Sequence, residues 1–319
     1  MRPTRLLARL LAGSLLSLSL PAAQAQVWPA RELNFYVNYG PGSSTDLSAR
    51  ILATEMSNIL GRPIVVQNKP GAQGTLGPAL VARQPADGYS FGVLSYAPAA
   101  IAPHLGPVNY TLDDFDVIAG TGRYRYGVAV LADSPYRTVQ DLVDASKKGS
   151  GLFFSATGAP NNIALLRLGK VTGGKFEFIP FKSGPDAVTA LLGKQVEAVV
   201  QTPSDIMPYV ASGRLRLLAS VSPVRWPEQP DTPTLKEAGF DVEIDSWTGI
   251  AAPRGLPPEV LQRLEQAALK AVRTPAYQEK MNQLGVEPAG LGAKEYGAML
   301  ARGYDEMGAA LKEAGLVPN

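Results

Sequence analysis

Two short segments of the chain carry the residue types that hold an anion. The first is Gly40-Pro41-Gly42-Ser43-Ser44-Thr45-Asp46, and the second is Ser155-Ala156-Thr157-Gly158-Ala159-Pro160-Asn161-Asn162. Glycine lets backbone N–H groups approach a ligand closely, and serine and threonine hydroxyls add donors. A helix that starts just after such a segment offers N–H groups with no intrahelical partner, with about half a positive charge at its end. A carboxylate suits that arrangement. The donors singled out are Gly42, Ser43, Ser44 and Thr45 in the first segment, and Ser155, Thr157, Gly158 and Asn161 in the second. Such residues are also ordinary helix caps, so one segment alone decides little and two of the same kind decide more. Asp46 would repel an anion; its expected role is to accept loop N–H bonds. A third stretch, Pro70-Gly71-Ala72-Gln73-Gly74-Thr75-Leu76-Gly77, brings the N–H groups of Ala72 and Gln73 to the same place or is a tight connection. None of the three is a nucleotide fingerprint, since neither GxGxxG nor GxxxxGK[ST] is present.

Affinity sets how many of these donors must act together. A micromolar ligand needs about −8 kcal/mol. Hydrogen bonds to a charged carboxylate contribute roughly 1.5–3 kcal/mol each, against an association cost of about 4 kcal/mol or more. One segment is too few, so both must face one ligand.

The elements that position them alternate. Strands are expected at 34–39, 63–67 and 90–95, with helices at 47–60 and 76–83. The pattern then restarts, with strands at 126–131, 152–155, 176–180, 198–200 and 215–221 and helices between them. A proline-marked segment, 223–233, leads to a strand at 247–251 and to helices at 258–272, 276–284 and 293–314. Two α/β units with mostly parallel sheets follow, joined by two crossings. The expected lobes are 26–125 with 247–319, and 126–246. Each donor segment then lies beyond the carboxyl end of a strand, where open α/β sheets bind ligands. Ser95 and Tyr96 end a strand at the same edge, and Lys182 follows one.

The first residues read as a secretory leader. Arg2, Arg5 and Arg9 precede an apolar run, Leu10–Leu20, and then Ala23-Gln24-Ala25, which predicts cleavage after Ala25. The apolar run is shorter than the roughly 20 residues of a membrane span. The chain has 30 Lys+Arg and 28 Asp+Glu; the leader holds three of the arginines and no acid, which leaves 27 against 28. The basic excess is therefore no sign of nucleic-acid binding. There is no cysteine, hence no disulfide, thiolate nucleophile or lipid-bearing anchor. His104 is the only histidine, so neither a transition-metal site nor a Ser-His-Asp triad is expected. Asp113, Asp114 and Asp116 lack the spacing of a calcium loop. No cofactor, no catalysis and a monomer are the resulting expectations.

The chain resembles the periplasmic solute-binding receptors of tripartite tricarboxylate transporters, the Bug or TctC-type proteins. The residues that carry the resemblance run from Gly40–Asp46 through Gly61-Arg62-Pro63-Ile64-Val65-Val66-Gln67-Asn68-Lys69-Pro70-Gly71-Ala72 and Pro85-Ala86-Asp87-Gly88-Tyr89. They continue through Thr138-Val139-Gln140-Asp141-Leu142, Asp231-Thr232-Pro233-Thr234 and Trp247-Thr248-Gly249. The resemblance implies a Venus-flytrap fold that closes on a small carboxylate. It also implies service to the membrane components of such a transporter, or to a sensor kinase. The sequence departs from relatives at Arg123-Tyr124-Arg125-Tyr126, and at Gln201, where many carry an acid able to meet an ammonium. The expected ligand is therefore an aromatic or di- or tricarboxylate without an amine, an amino acid being the alternative. Tyr39, Tyr96, Tyr126 and Phe181 would flank an aromatic ring, or else pack in the core.

Overall fold

The computed structural model describes residues 28–157, 159–181, 183–313 and 317. The expected leader, Gly158 and Lys182 lie outside the described residues, as does the side chain of Gln73. The chain opens with β1 (Leu33–Val37), α1 (Ser44–Leu60), β2 (Ile64–Asn68), α2 (Leu76–Val81), β3 (Ser90–Val93), α3 (Ala102–Leu105) and β4 (Phe115–Tyr124). It then builds a second sheet through β5 (Gly127–Leu131), α4 (Val139–Ser146), β6 (Leu152–Ala156), α5 (Asn161–Thr172), β7 (Phe176–Pro180), α6 (Gly184–Leu192), β8 (Ala198–Gln201), α7 (Pro203–Ala211) and β9 (Leu215–Ser220). It returns in β10 (Ser246–Pro253) and ends with α8 (Pro258–Ala271), α9 (Pro275–Gln283), β11 (Val286–Gly292) and α10 (Ala293–Glu313).

Two α/β lobes result. One sheet has the order β11-β4-β10-β3-β1-β2, the other β7-β6-β8-β5-β9. The expectation of mostly parallel sheets needs correction, for both are mixed. β2, β1 and β3 pair in parallel, as do β7, β6 and β8. β10 is antiparallel to β3 and β4, and β5 is antiparallel to β8 and β9. The cause is topological. β4 carries the chain out of the first sheet and β10 carries it back, so neighbours of opposite errand run in opposite directions; β5 and β9 do the same in the second.

Two strands were not legible in the sequence. β4 contains Gly120 and Gly122, which disfavour a strand locally. Gly122 leaves room for Met281 of α9 and Val286 of β11, and Gly120, like Gly249 of β10, is there because Tyr296 of α10 lies on the sheet. A Cβ on Gly249 would fall 2.2 Å from its ring and 2.5 Å from the Ala119 carbonyl, and one on Gly120 would fall 2.9 Å from the ring. Tyr296 Oη then donates to the Leu94 carbonyl at 2.6 Å. β11 is masked by Pro288 and two glycines, and it pairs only with β4, at the sheet edge where proline is tolerated.

Candidate functional site

The ends of both sheets meet at the two crossings. In the first sheet Tyr124, the last residue of β4, pairs with Ser246, the first of β10. In the second, Gly127 at the start of β5 pairs with Gln201 and Ser220, the last residues of β8 and β9. Parallel register places Ser155 beside Val199, so the loop after β6 leaves the sheet at the end where Gln201 closes β8. Likewise β1 and β3 run in parallel, so Tyr39 and Ser95 both follow strands that end at the same edge of the first sheet. The segments chosen from sequence thus sit on the two sheet edges that flank the crossings. Tyr126 N–H donates to Ser222 Oγ at 3.0 Å, tying the crossing strand to the chain that returns.

The first loop is held by one carboxylate. Ser43 caps α1, its Oγ accepting from Asp46 N–H at 3.2 Å. Asp46 is buried and accepts from Gly42 N–H at 2.9 Å, from Arg50 Nε at 3.0 Å and from Asn68 Nδ2 at 2.8 Å. Asn68 Nδ2 also donates to the Tyr39 carbonyl. Burial would raise the Asp46 carboxyl, but the bonds from Arg50, Asn68 and Gly42 outweigh it and hold the group below the ordinary carboxylate value. This fits the role expected of Asp46. It also corrects the reading of Gly42: its N–H is given to Asp46, and its positive φ of 81° shapes the turn. Ser43 accepts with its oxygen, which leaves its proton to donate; Ser44 and Thr45 supply the first N–H groups of the helix.

The third stretch joins this loop. It forms a 3₁₀ turn, Ala72–Gly74, in which Ala72 takes φ 47°, a left-handed conformation uncommon for a residue with a Cβ. Asn38 Nδ2 donates to the Gly74 carbonyl at 3.0 Å. A Cβ on Gly74 would fall 2.7 Å from Tyr39 Oη, so only glycine lets the turn lie against that ring.

Tyrosines line the crossing. Tyr124 and Thr45 share a hydrogen bond of 2.9 Å, and the Tyr124 ring stacks near Tyr126 at 6.2 Å between centroids. Burial, with Tyr124 nearby, pushes the Tyr39 phenol up to about 12. Burial pushes Tyr96 up to about 12 as well, reinforced by Glu306 and Asp245, and it raises Tyr126 too. These phenols keep their protons at any ordinary pH and can serve as neutral donors. Tyr124 and Asn68 were missed as site residues. The alternation Arg123-Tyr124-Arg125-Tyr126 carried the signal for Tyr124, since alternate residues of an extended segment share a face. Tyr96 and buried Ser95 lead into a π-helical turn, Ala97–Ile101, a form frequent at functional sites. Tyr96 also borders a cavity of about 280 Å³ between α5 and α10, with Arg167 and Glu306. A cavity of about 330 Å³ between α1 and α9 is an open surface groove that takes in none of the donors chosen from sequence.

The second loop differs from expectation at two donors, Ser155 and Asn161, whose side chains both donate within the protein. Ser155 is fully buried, and its Oγ donates to the Ala187 carbonyl of α6 at 2.8 Å. Its side chain therefore ties β6 to α6 and does not supply a proton to a ligand. Thr157 is exposed. Asn161, the first residue of α5, is buried, and its Nδ2 lies 3.1 Å from the Val200 carbonyl and 3.2 Å from Gln201 Oε1. Trp247 is a packing residue, its Nε1 bonded to Asp245 and its ring under the Arg123 guanidinium at 4.8 Å.

Comparisons with known proteins bear on the family and the fold. Residues 48–316 match the model of the tripartite tricarboxylate transporter family receptor. A Cupriavidus necator relative, the UPF0065 protein in the gbd 5' region, is 33% identical over 303 residues, which is 93% of this chain and 92% of that protein. The structure of the periplasmic binding protein BugD superposes with a TM-score of 0.80 at 29% identity, covering 92% of this chain and 100% of that one. An R. palustris protein solved with adipate gives 0.82 at 26% identity, covering 92% and 100%. Two lobes, paired loops at facing sheet edges and a family match over most of the chain lead to one assignment: the chain belongs to the tripartite tricarboxylate transporter family of receptors and has the fold of a periplasmic solute-binding protein.

Proposed function

We propose that the chain is exported, loses its leader after Ala25, and captures one small carboxylate in the periplasm for uptake by the membrane components of a tripartite tricarboxylate transporter. Capture occurs between lobes 26–125 with 247–319 and 126–246, which hinge at the two crossings, and the ligand leaves chemically unchanged. The observation that carries this reading is the convergence at the crossings of two sheet edges, each bearing a loop and a helix N-terminus. Helix ends and neutral phenols are donors, and donors meeting at one place call for an acceptor-rich anion. The adipate in a similar structure supports a dicarboxylate. The tyrosines at the crossing admit an aromatic carboxylate.

Equilibrium dialysis of the mature protein with adipate, citrate and benzoate tests this. The expected result is one carboxylate bound per chain at micromolar affinity, weakened about tenfold or more both by Gly42→Val in one lobe and by Thr157→Ala in the other. Unchanged affinity in both variants would remove the two-loop arrangement. Loss of cellular uptake on deleting the protein is expected of a transport receptor; intact uptake with a lost transcriptional response would instead make the client a sensor kinase.

A further inference from the structure

The second loop fixes which end of the Gln201 amide points away from it. The Val200 carbonyl can only accept, so the Asn161 atom 3.1 Å from it is the amide nitrogen. That nitrogen also lies 3.2 Å from the near atom of the Gln201 amide, which is therefore the oxygen. Gln201 is left presenting Nε2. The residue is 2% exposed, and Nε2 is buried with no partner among the described residues. A buried N–H without an acceptor is unfavourable. Its place is also defined, since Gln201 ends β8 opposite Gly127, beside the crossing and at the sheet end from which the second loop departs. The acid nearest in sequence does not offset it. Asp205 accepts from Thr202 Oγ1 at 2.9 Å and lies against Gly184 of α6, where a Cβ would fall 2.2 Å from its carboxylate.

We propose that Gln201 determines the ligand class: held by Asn161, it is a fixed N–H donor that requires an acceptor on the ligand and rejects an ammonium group at that point. The inference rests on the reading of the cleft as a carboxylate site. An oxygen of a second carboxylate satisfies the donor, whereas an α-ammonium would set N–H against N–H and meet no acceptor. Asn161 acts as the positioning residue, because without it the Gln201 amide is free to turn its oxygen outward.

Matched pairs of ligands test this by calorimetric titration: succinate with L-aspartate, glutarate with L-glutamate, and adipate with L-2-aminoadipate, alongside benzoate. Each pair differs by one ammonium. Wild type is expected to bind at least one plain diacid about tenfold or more tighter than its amino partner, since each lost or opposed buried hydrogen bond is worth about that factor. Gln201→Glu should reverse the preference within the pair. Gln201→Met, of similar volume, should weaken the diacid without gaining the amino acid, which keeps the test open if the charged variant fails to fold by circular dichroism. Asn161→Ala should narrow the preference. A pair ratio unchanged within twofold in both Gln201 variants overturns the assignment while leaving the receptor reading intact. Binding of benzoate and none of the diacids overturns it in the same way. Failure of every carboxylate to bind overturns both.

Discussion

At the scale of single residues, Asp46 is the clearest case of a buried charge that holds its own loop. Its carboxylate joins Gly42, Arg50 and Asn68, and so links the loop, the helix and the neighbouring strand. Asp46→Asn should cost about 1–3 kcal/mol in urea unfolding, because buried charge-assisted bonds are lost; the half-exposed Arg50 contributes the least of it. The pH dependence has a definite sign. A carboxyl held below its ordinary value stabilises the fold fully above about pH 4 and loses that contribution as pH falls through the depressed value. Wild type should therefore lose more stability than Asp46→Asn between pH 5 and the acid limit, and parallel curves would show that Asp46 is not the source. Ser155 illustrates the reverse error of reading. Its type and place suggested a ligand donor, but its bond to Ala187 makes Ser155→Ala mainly a loss of stability, about 1–2 kcal/mol in the same measurement. Sequence shows that a hydroxyl is present and not where its proton goes.

At the scale of elements, the strands flanked by helices were legible because apolar runs of the right length stand between turn residues. α1 begins at Ser44, three residues before the apolar periodicity starts at Leu47, because the cap comes before the buried face. β4 and β11 were not legible. Their glycines and proline are answers to a tertiary demand, the Tyr296, Met281 and Val286 side chains packed on one and the sheet edge for the other, and no local pattern records such a demand. The mixed sheets were hidden for a similar reason, since strand direction depends on which strands become neighbours. Gly249→Ala tests the tertiary explanation. Its new Cβ would meet both the Tyr296 ring and the Ala119 backbone, so the variant should lose about 1–3 kcal/mol or more by thermal or urea unfolding. Gly239→Ala is a control for left-handed strain alone, having φ 93° and open space around it, and should cost about 1 kcal/mol.

At the scale of the whole molecule, the two lobes share one buried apolar cluster and are tied at the crossings. Arg125, in the first crossing, is buried and pairs with Glu228 at 2.8 and 3.0 Å, which anchors the crossing to the proline-rich return segment. Pro203 of α7 lies close to Gly285, where a Cβ would fall 2.8 Å from the ring, so the second lobe touches the turn after α9 near the crossings. Arg125→Met should therefore loosen the relation between lobes. Small-angle scattering is expected to show a larger radius of gyration without ligand and a weaker contraction on adding it. Family and fold were legible in the sequence because the motifs spread along the chain in one order. The two loops were legible as loops beyond strand ends, but where their donors point was not, because Gly42, Ser155 and Asn161 donate within the protein itself. What the structure adds is the amide relay at Gln201, which turns a one-residue departure into a statement about ligand chemistry.

On the proposed function, one small carboxylate is held, unaltered, between the lobes. Mass spectrometry of the small molecule released from protein purified from the periplasm without denaturation tests it most directly. A single carboxylate at one per chain is expected, recovered with the same mass after prolonged incubation with the protein. A bound molecule without a carboxylate, or one chemically changed by that incubation, would contradict it.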